Sequence, residues 1–506
     1  MDIVKESFIL SLFTRLYAAA KGSETVRLSS AFSSGIKKLW FGSALSEVLS
    51  RQGRLSADWE KSMAFRFLTG LINFIPRSLG RLYNLCREIF EESIIMCAAW
   101  YCGENACIFI SWAFLAALVI PYDYWNNVYS FAGMLLILAA FYIYGMRNSS
   151  AALEVKSIGV YAVAFAAFEL LFVFLSYDKS ESIRFFTYHF SCMLAVLLIV
   201  GTVRSTKQLV RIIDFSLAGT GIASLYAIVQ RLQGIEVNKS YVDLSVNANM
   251  PGRVYSFFFN PNSFAMLLVM MLPVSAVLIF YSKGYKRLFY LLVFAAATIA
   301  LLMTYTRAAW GGFVLSILVM ALIIRPILVP LFVLAGIFAL PLMPASIYNR
   351  VMTIFSSKDT SITSRKPIYD AAWRLILKNP VIGAGLGYEV VKTKVMDIGL
   401  YKGVAPFVHA HSIYLQIAAE LGVFGLLAFL GTIFSGVKNG LKAIFGKKGS
   451  KLLQGIIAAQ ISAFAGIMLC SWVDYPWSFP RVMLMFWFSF AILVSAVKLA
   501  NQEEAE

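Results

Sequence analysis

The chain has 506 residues, of which 59% are apolar and 14% charged, against roughly 25% charged in a soluble domain. A water-soluble fold cannot hide that much apolar side chain, so most of the chain has lipid as its solvent. The net charge of +17 belongs to the flanks of membrane spans, because no basic cluster with interleaved aromatics occupies a polar segment long enough to fold alone, and no nucleic-acid partner is expected.

Residues 1–92 form a basic cytoplasmic or interfacial region with no cleavable-signal pattern. Within it Leu68–Phe90 has apolar residues at helical spacing, interrupted by Arg77, Arg81 and Arg87, and reads as an interfacial amphipathic stretch. Pro76 and Gly80 argue against one continuous helix there. Apolar spans follow at 106–120, 129–145, 157–176, 185–202, 212–230, 256–281, 288–305, 309–324, 326–342, 412–435, 452–473 and 482–498. The expected fold is therefore an all-α polytopic membrane protein with about twelve transmembrane helices. Nine lie in residues 93–342 and three in 411–506, where a short cytoplasmic tail ends the chain. Between them residues 343–410 form a long, partly helical extracytoplasmic loop. The six cysteines lack metal-ligand spacing and read as small buried hydrophobes.

Basic residues set the orientation. Arg147 and Lys156 follow the second span, Arg204, Lys207 and Arg211 the fourth, and Lys283, Lys286 and Arg287 the sixth. Arg325 follows the eighth, and Lys438, Lys442, Lys447, Lys448 and Lys451 the tenth. This alternation puts both termini in the cytoplasm. It also puts Arg253, Arg307, the 343–410 loop, His409, His411 and Asp474 together on the outer face. That loop holds nine Lys/Arg against four Asp/Glu, which suits an anionic ligand. In it, Ser364 caps an expected helix whose apolar stripe is Ile368, Ala371, Ala372, Leu375 and Ile376, with Arg365, Lys366 and Arg374 on the other surface. Asn379-Pro380 ends the helix, and Gly383–Gly387 supplies a turn that backbone can approach closely.

Arg253 and Arg307 are each able to make paired hydrogen bonds to phosphoryl oxygens, and two such groups on one face suit a diphosphate. Asn260-Pro261-Asn262 breaks an apolar stretch, as helices lining a membrane cavity do. His411 is the candidate base for a sugar hydroxyl, because its ordinary pKa lies near neutrality. His409 is the weaker candidate, an orienting group. The His-x-His pair invites a metal, but no Cys or carboxylate stands at ligand spacing beside it, and neither metal nor cofactor is expected. Tyr414 brings a polar tip to the same mouth. Glu420, nine residues beyond His411 and on the opposite azimuth of a regular helix, is expected to hold a cationic or hydroxyl partner. Asp474 is expected to pair with a site arginine.

These pieces resemble the O-antigen ligase and polymerase superfamily of bacterial envelope membrane proteins. The resemblance rests on Arg253 with Phe259–Asn262, Thr306–Trp310, Ser364-Arg365 through Trp373, Asn379-Pro380 with Gly383–Gly387, and His411–Leu415 leading to Glu420-Leu421-Gly422. It implies a GT-C-like, metal-independent, inverting glycosyltransferase in the bacterial cytoplasmic membrane, with its site facing outward. The implied donor is a glycan on polyprenyl (undecaprenyl) diphosphate, and the acceptor is a glycan or lipid-linked hydroxyl. His411, Arg253 and Arg307 would be catalytic, with Arg365, Arg374, His409, Tyr414, Asn260, Asn262, Glu420 and Asp474 binding substrate. A polymerase is favoured over a ligase that attaches a finished glycan to a lipid or protein. A flippase of lipid-linked sugars is the other reading, and it requires an internal repeat that the sequence does not display.

Overall fold

The computed structural model describes residues 54–148, 151–237, 251–326, 328–353, 365–404 and 406–503. Every extended regular element among them is a helix. In chain order these are α1 (Arg54–Lys61), α2 (Met63–Ile72), α3 (Phe74–Leu85), α4 (Arg87–Glu92), α5 (Ile94–Glu104), α6 (Ala106–Val119), α7 (Val128–Arg147), α8 (Val160–Phe174), α9 (Lys179–Thr202) and α10 (Thr206–Gln233). Then come α11 (Pro261–Tyr281), α12 (Gly284–Met303), α13 (Arg307–Ile324), α14 (Leu328–Ala339), α15 (Ala345–Met352), α16 (Arg365–Lys378), α17 (Tyr388–Asp397), α18 (Ile413–Phe445), α19 (Lys451–Cys470) and α20 (Pro480–Gln502).

Nine of the described helices are long and apolar enough to cross a membrane: α7, α9 to α13, and α18 to α20. α5 and α6 form a tenth candidate bent by 76°. The expected count of twelve is not confirmed by length and composition among the described residues, where two further apolar helices, α8 and α14, are shorter. At 1.5 Å per residue α8 is about 22 Å long and α14 about 18 Å, against a hydrocarbon core of about 30 Å. The amphipathic stretch at 68–90 is divided as expected, but at Asn73 and Cys86. Pro76 sits in the first turn of α3, where its missing N–H costs nothing. Cys97 and Cys102 are both free thiols.

Helices α11 and α20 form the centre of the bundle, with 89% of their apolar windows buried, against 17% for the peripheral α7. Close approach elsewhere relies on small residues. Gly312 and Ser316 of α13 meet Gly466 and Cys470 of α19, and a Cβ on Gly312 would stand 2.4 Å from the Cys470 sulfur. Two small-xxx-small ridges in contact let the backbones pack without help from a hydrophobic driving force, which lipid does not supply.

The extramembrane loop is fastened to a break in α18. Gly422 has φ 66°, ψ −175°, so the helix ladder stops there and restarts. The carbonyls this leaves free are taken by the glycine turn. Ala384 N–H donates to Ala419 O at 2.7 Å and Gly385 N–H to Glu420 O at 3.0 Å, while Val423 N–H donates to Pro380 O at 2.8 Å. Irregular backbone in the membrane bundle thereby finds hydrogen-bond partners within the protein. α16 runs over 365–378 with the expected buried stripe of Ile368, Ala371, Ala372, Leu375 and Ile376. The expected cap Ser364 lies outside the described residues.

Candidate functional site

Strain marks the site first. Five described non-glycine residues have positive φ, and four of them, Ser256, Phe259, Tyr305 and His411, lie in the short connections at this end of the bundle. Each costs of order 1–3 kcal/mol and persists only where its surroundings over-determine it.

His411 stands just before α18, held from three directions. Its N–H donates to His409 Nδ1 at 3.2 Å. Its carbonyl accepts from the Tyr369 hydroxyl of α16 at 3.3 Å, and Ile413 N–H donates to Ser471 O at the end of α19. Gln416 reaches back to accept from Ala410 N–H at 2.7 Å, doing for the helix mouth what a capping side chain does. The two imidazoles lie 4.2 Å apart between ring centroids. His409 is buried, and that burial together with the charge of His411 pushes its pKa down to about 3. It is a neutral acceptor at physiological pH.

Asp474 comes to His411 from the connection between α19 and α20. Its Oδ1 lies 3.5 Å from His411 Nδ1 and accepts from Tyr475 N–H, while Oδ2 accepts from Asn262 Nδ2 at 3.0 Å. Burial works against its charge, but His411 and the nearby Arg365 more than offset this and hold its pKa well below the usual carboxylate range. The expected partner was a site arginine. Its contacts are instead His411 and Asn262, and Asn262 Oδ1 in turn accepts from Arg253 Nη2 at 2.5 Å. The amide can serve both neighbours because it carries an acceptor and a donor, which a carboxylate does not. Imidazole, carboxylate, amide and guanidinium thus lie in one row drawn from three separate connections, with hydrogen bonds along it from Arg253 to Asp474 and an ion-pair contact at His411.

Arg253 also has a structural role. Its Nε donates to Thr304 O at 2.7 Å and Nη2 to Thr306 Oγ1 at 2.8 Å, while Val254 N–H donates to Met303 O. A cation over the C-terminal carbonyls of α12 opposes the negative end of that helix dipole. Arg307, in the first turn of α13, donates to Thr353 Oγ1 at 2.9 Å. Beside it lies Arg350 of α15, buried and donating to Tyr305 O. Sequence reasoning missed Arg350, which stands in a helix of ordinary composition; the basic excess of the loop was the available signal.

The remaining expected residues divide. Asn260 caps α11 by accepting from Asn262 N–H, and it lines a cavity beside His409. Glu420 is buried in α18 away from His411, accepting from Gln416 Nε2 at 2.7 Å and the Tyr475 hydroxyl at 3.4 Å, which is the hydroxyl partner expected of it. Arg374 pairs with Asp370 one turn back on the exposed face of α16, and Tyr414 donates to Met468 O against Trp472, so neither side chain joins the cluster. The cavity beside His409 has a volume of about 700 Å³, within the ~300–1,000 Å³ range of small-molecule sites. Tyr122, Trp125, Arg184 and Tyr388 are among its walls.

The only metal-ligand trio among the described residues is His409, His411 and Asp474, with donor atoms within 4.8 Å of one another. The carboxylate that the sequence did not place beside the His-x-His pair is supplied from 63 positions downstream by folding.

Fold and site together define a multi-pass helical membrane protein with a polar, arginine- and histidine-bearing centre at one end of its bundle. Residues 291–430 match the family described as O-Antigen ligase, a match that agrees with the resemblance of the site's motifs to the O-antigen ligase and polymerase superfamily. The matched stretch holds Arg307, Arg350, Arg365, His409, His411 and Glu420, whereas Arg253, Asn262 and Asp474 come from outside it. A search of curated proteins found no match.

Proposed function

We propose that the protein transfers a glycan from polyprenyl diphosphate to an acceptor hydroxyl by a single inverting displacement at the outer face of the bacterial cytoplasmic membrane. The observation that carries the reading is the placing of Asp474 3.5 Å from His411 Nδ1 and, through hydrogen bonds to Asn262, beside Arg253, which brings a base orienter and a phosphate-binding group together. Asp474 beside Nδ1 favours the tautomer with the proton there, leaving Nε2 to take the acceptor's proton. The acceptor oxygen then bonds to the anomeric carbon as the bond to the diphosphate breaks. The departing electron pair goes to a phosphoryl oxygen, where Arg253 and Arg307 offset the developing charge. The cavity beside His409 is the place for the acceptor sugar, whose C–H faces stack on aromatic rings while its hydroxyls meet Arg184 and Asn260. Diphosphate already leaves readily, so guanidinium groups suffice and no metal is called for.

A polymerase, taking a lipid-linked repeat as acceptor, is the form we favour. Purified protein incubated with defined lipid-linked repeats is expected to release polyprenyl diphosphate and yield a ladder of products. A single transferred chain on a lipid or protein acceptor would make it a ligase, and unchanged sugar bonds with moved lipid would make it a flippase. His411→Ala is expected to lower transfer by roughly 10²–10⁴-fold with membrane insertion intact. Normal turnover in that variant would remove His411 from the mechanism.

A further inference from the structure

At the opposite end of α18 from His411, a second cavity of about 400 Å³ opens between α1, α8, α18 and α20. It plays no part in the reaction proposed above. Five lysines line it, Lys156, Lys438, Lys442, Lys448 and Lys498, against one carboxylate, Glu60. Lys156, Lys448 and Lys498 have partners within the protein. Lys156 pairs with Glu60 at 3.0 Å, and Lys498 is sunk among the terminal carbonyls of α9, donating to Val203 O at 2.8 Å. Lys438 and Lys442 have no carboxylate partner among the described residues. They share one polar stripe of α18 with Ser435 and Asn439, at helical spacing i, i+3, i+4 and i+7, and that stripe faces the cavity.

The rest of the wall is mixed, with Ser56, Ser157, Tyr161 and Asn501 among its polar members and an apolar strip on α18 and α20. That strip is Phe434 of α18 with Phe490 and Val494 of α20, which lie about one to two turns before Lys438 and Lys498 on their helices. An anion with nothing attached would need the lysines alone; an apolar strip leading away from them suits a molecule with a phosphate at one end and acyl chain at the other. α1 closes the cavity through Ser56, Trp59 and Glu60, so the N-terminal region, outside the resemblance to known enzymes, contributes a wall of it.

We propose that this cavity binds an anionic phospholipid of the membrane leaflet opposite the candidate site, its headgroup phosphate on Lys438 and Lys442 and its acyl chain along Phe434, Phe490 and Val494. The headgroup offsets the mutual repulsion of the lysines gathered there, beyond what Glu60 of α1 supplies through Lys156.

The test uses the full chain in nanodiscs of phosphatidylcholine with or without phosphatidylglycerol, read by native mass spectrometry for lipid retained on gentle release and by thermal unfolding. The wild type is expected to keep phosphatidylglycerol and to melt higher in its presence. Lys438→Gln/Lys442→Gln is expected to weaken retention by roughly 30-fold, at about fivefold per charge removed. Lys447→Gln/Lys451→Gln, at the same end of the bundle but outside the cavity, is the control and is expected to retain lipid as the wild type does. Equal loss in both double variants would overturn the site in favour of diffuse surface attraction. Equal retention by the wild type and Lys438→Gln/Lys442→Gln would overturn it outright. Stabilisation by inorganic phosphate alone, matching that by phosphatidylglycerol, would overturn the lipid as occupant.

Discussion

Gly383→Ala tests how the loop carrying the site is fixed to the membrane bundle, and Gly399→Ala is its internal control. Both glycines have left-handed backbone, φ 67° and 64°, so an alanine at either costs about 1–2 kcal/mol for conformation alone. They differ in their surroundings. A Cβ at 399 meets nothing within 4 Å, whereas at 383 it stands 2.4 Å from Glu420 O and 2.8 Å from Ala419 O. Those atoms are main chain at the break in α18 and cannot rotate aside. Overpacking there adds roughly 1–3 kcal/mol. Weakening the bonds from Ala384 and Gly385 N–H to the same carbonyls adds about 1 kcal/mol. The 383 variant should therefore lose roughly 2–4 kcal/mol more than the 399 variant. Hydrogen–deuterium exchange of the peptide carrying Ala384 and Gly385 measures this locally, with exchange about 30- to 900-fold faster in Gly383→Ala than in Gly399→Ala. Equal acceleration in the two variants would show that conformational strain alone acts at 383 and that docking onto the broken helix contributes nothing.

Asp474→Asn removes the charge beside His411 Nδ1 while keeping the size of the side chain; transfer should fall about 10²-fold with the donor's KM nearly unchanged, and a change confined to KM would make Asp474 a binding residue instead. Acid should loosen the site through His409. Its folded pKa of about 3 lies below the ordinary 6.5, so between those values the unfolded chain takes up a proton that the folded one refuses, and stability falls as pH drops through that window by up to about 1.4 kcal/mol per unit. Thermal unfolding across pH 6.5 to 4 should show this slope in the wild type and a shallower one in His409→Asn. Zinc should inhibit transfer by occupying His411 and Asp474, with relief on adding chelator and reduced sensitivity in His409→Asn; inhibition unaltered by that substitution would place the metal elsewhere.

The membrane character, the long spans α9 to α13 and α18 to α20, the amphipathic α16 and most of the polar groups that gather at the candidate site were legible in the sequence. These are local properties. Apolar run length, stripe spacing and the distribution of lysines and arginines along the chain are set within a window of one helix. His411, Arg253, Asn262 and Asp474 could each be picked out for the same reason, as polar groups at the ends of apolar runs.

Their partnerships could not be read that way. Asn262 linking Arg253 to Asp474, and Tyr475 rather than His411 reaching Glu420, depend on which connections the bundle brings together, across 212 residues of chain in the first case and 55 in the second. The helix break at Gly422 depends on a glycine turn some 40 residues upstream supplying two N–H donors to the freed carbonyls. Arg350 and the five-lysine cavity were hidden for a related reason, since a charge in an ordinary helix gains meaning from what faces it. Sequence fixes which groups are present and which helix carries them; tertiary packing alone decides the few ångströms between side chains on which hydrogen bonding and charge compensation depend.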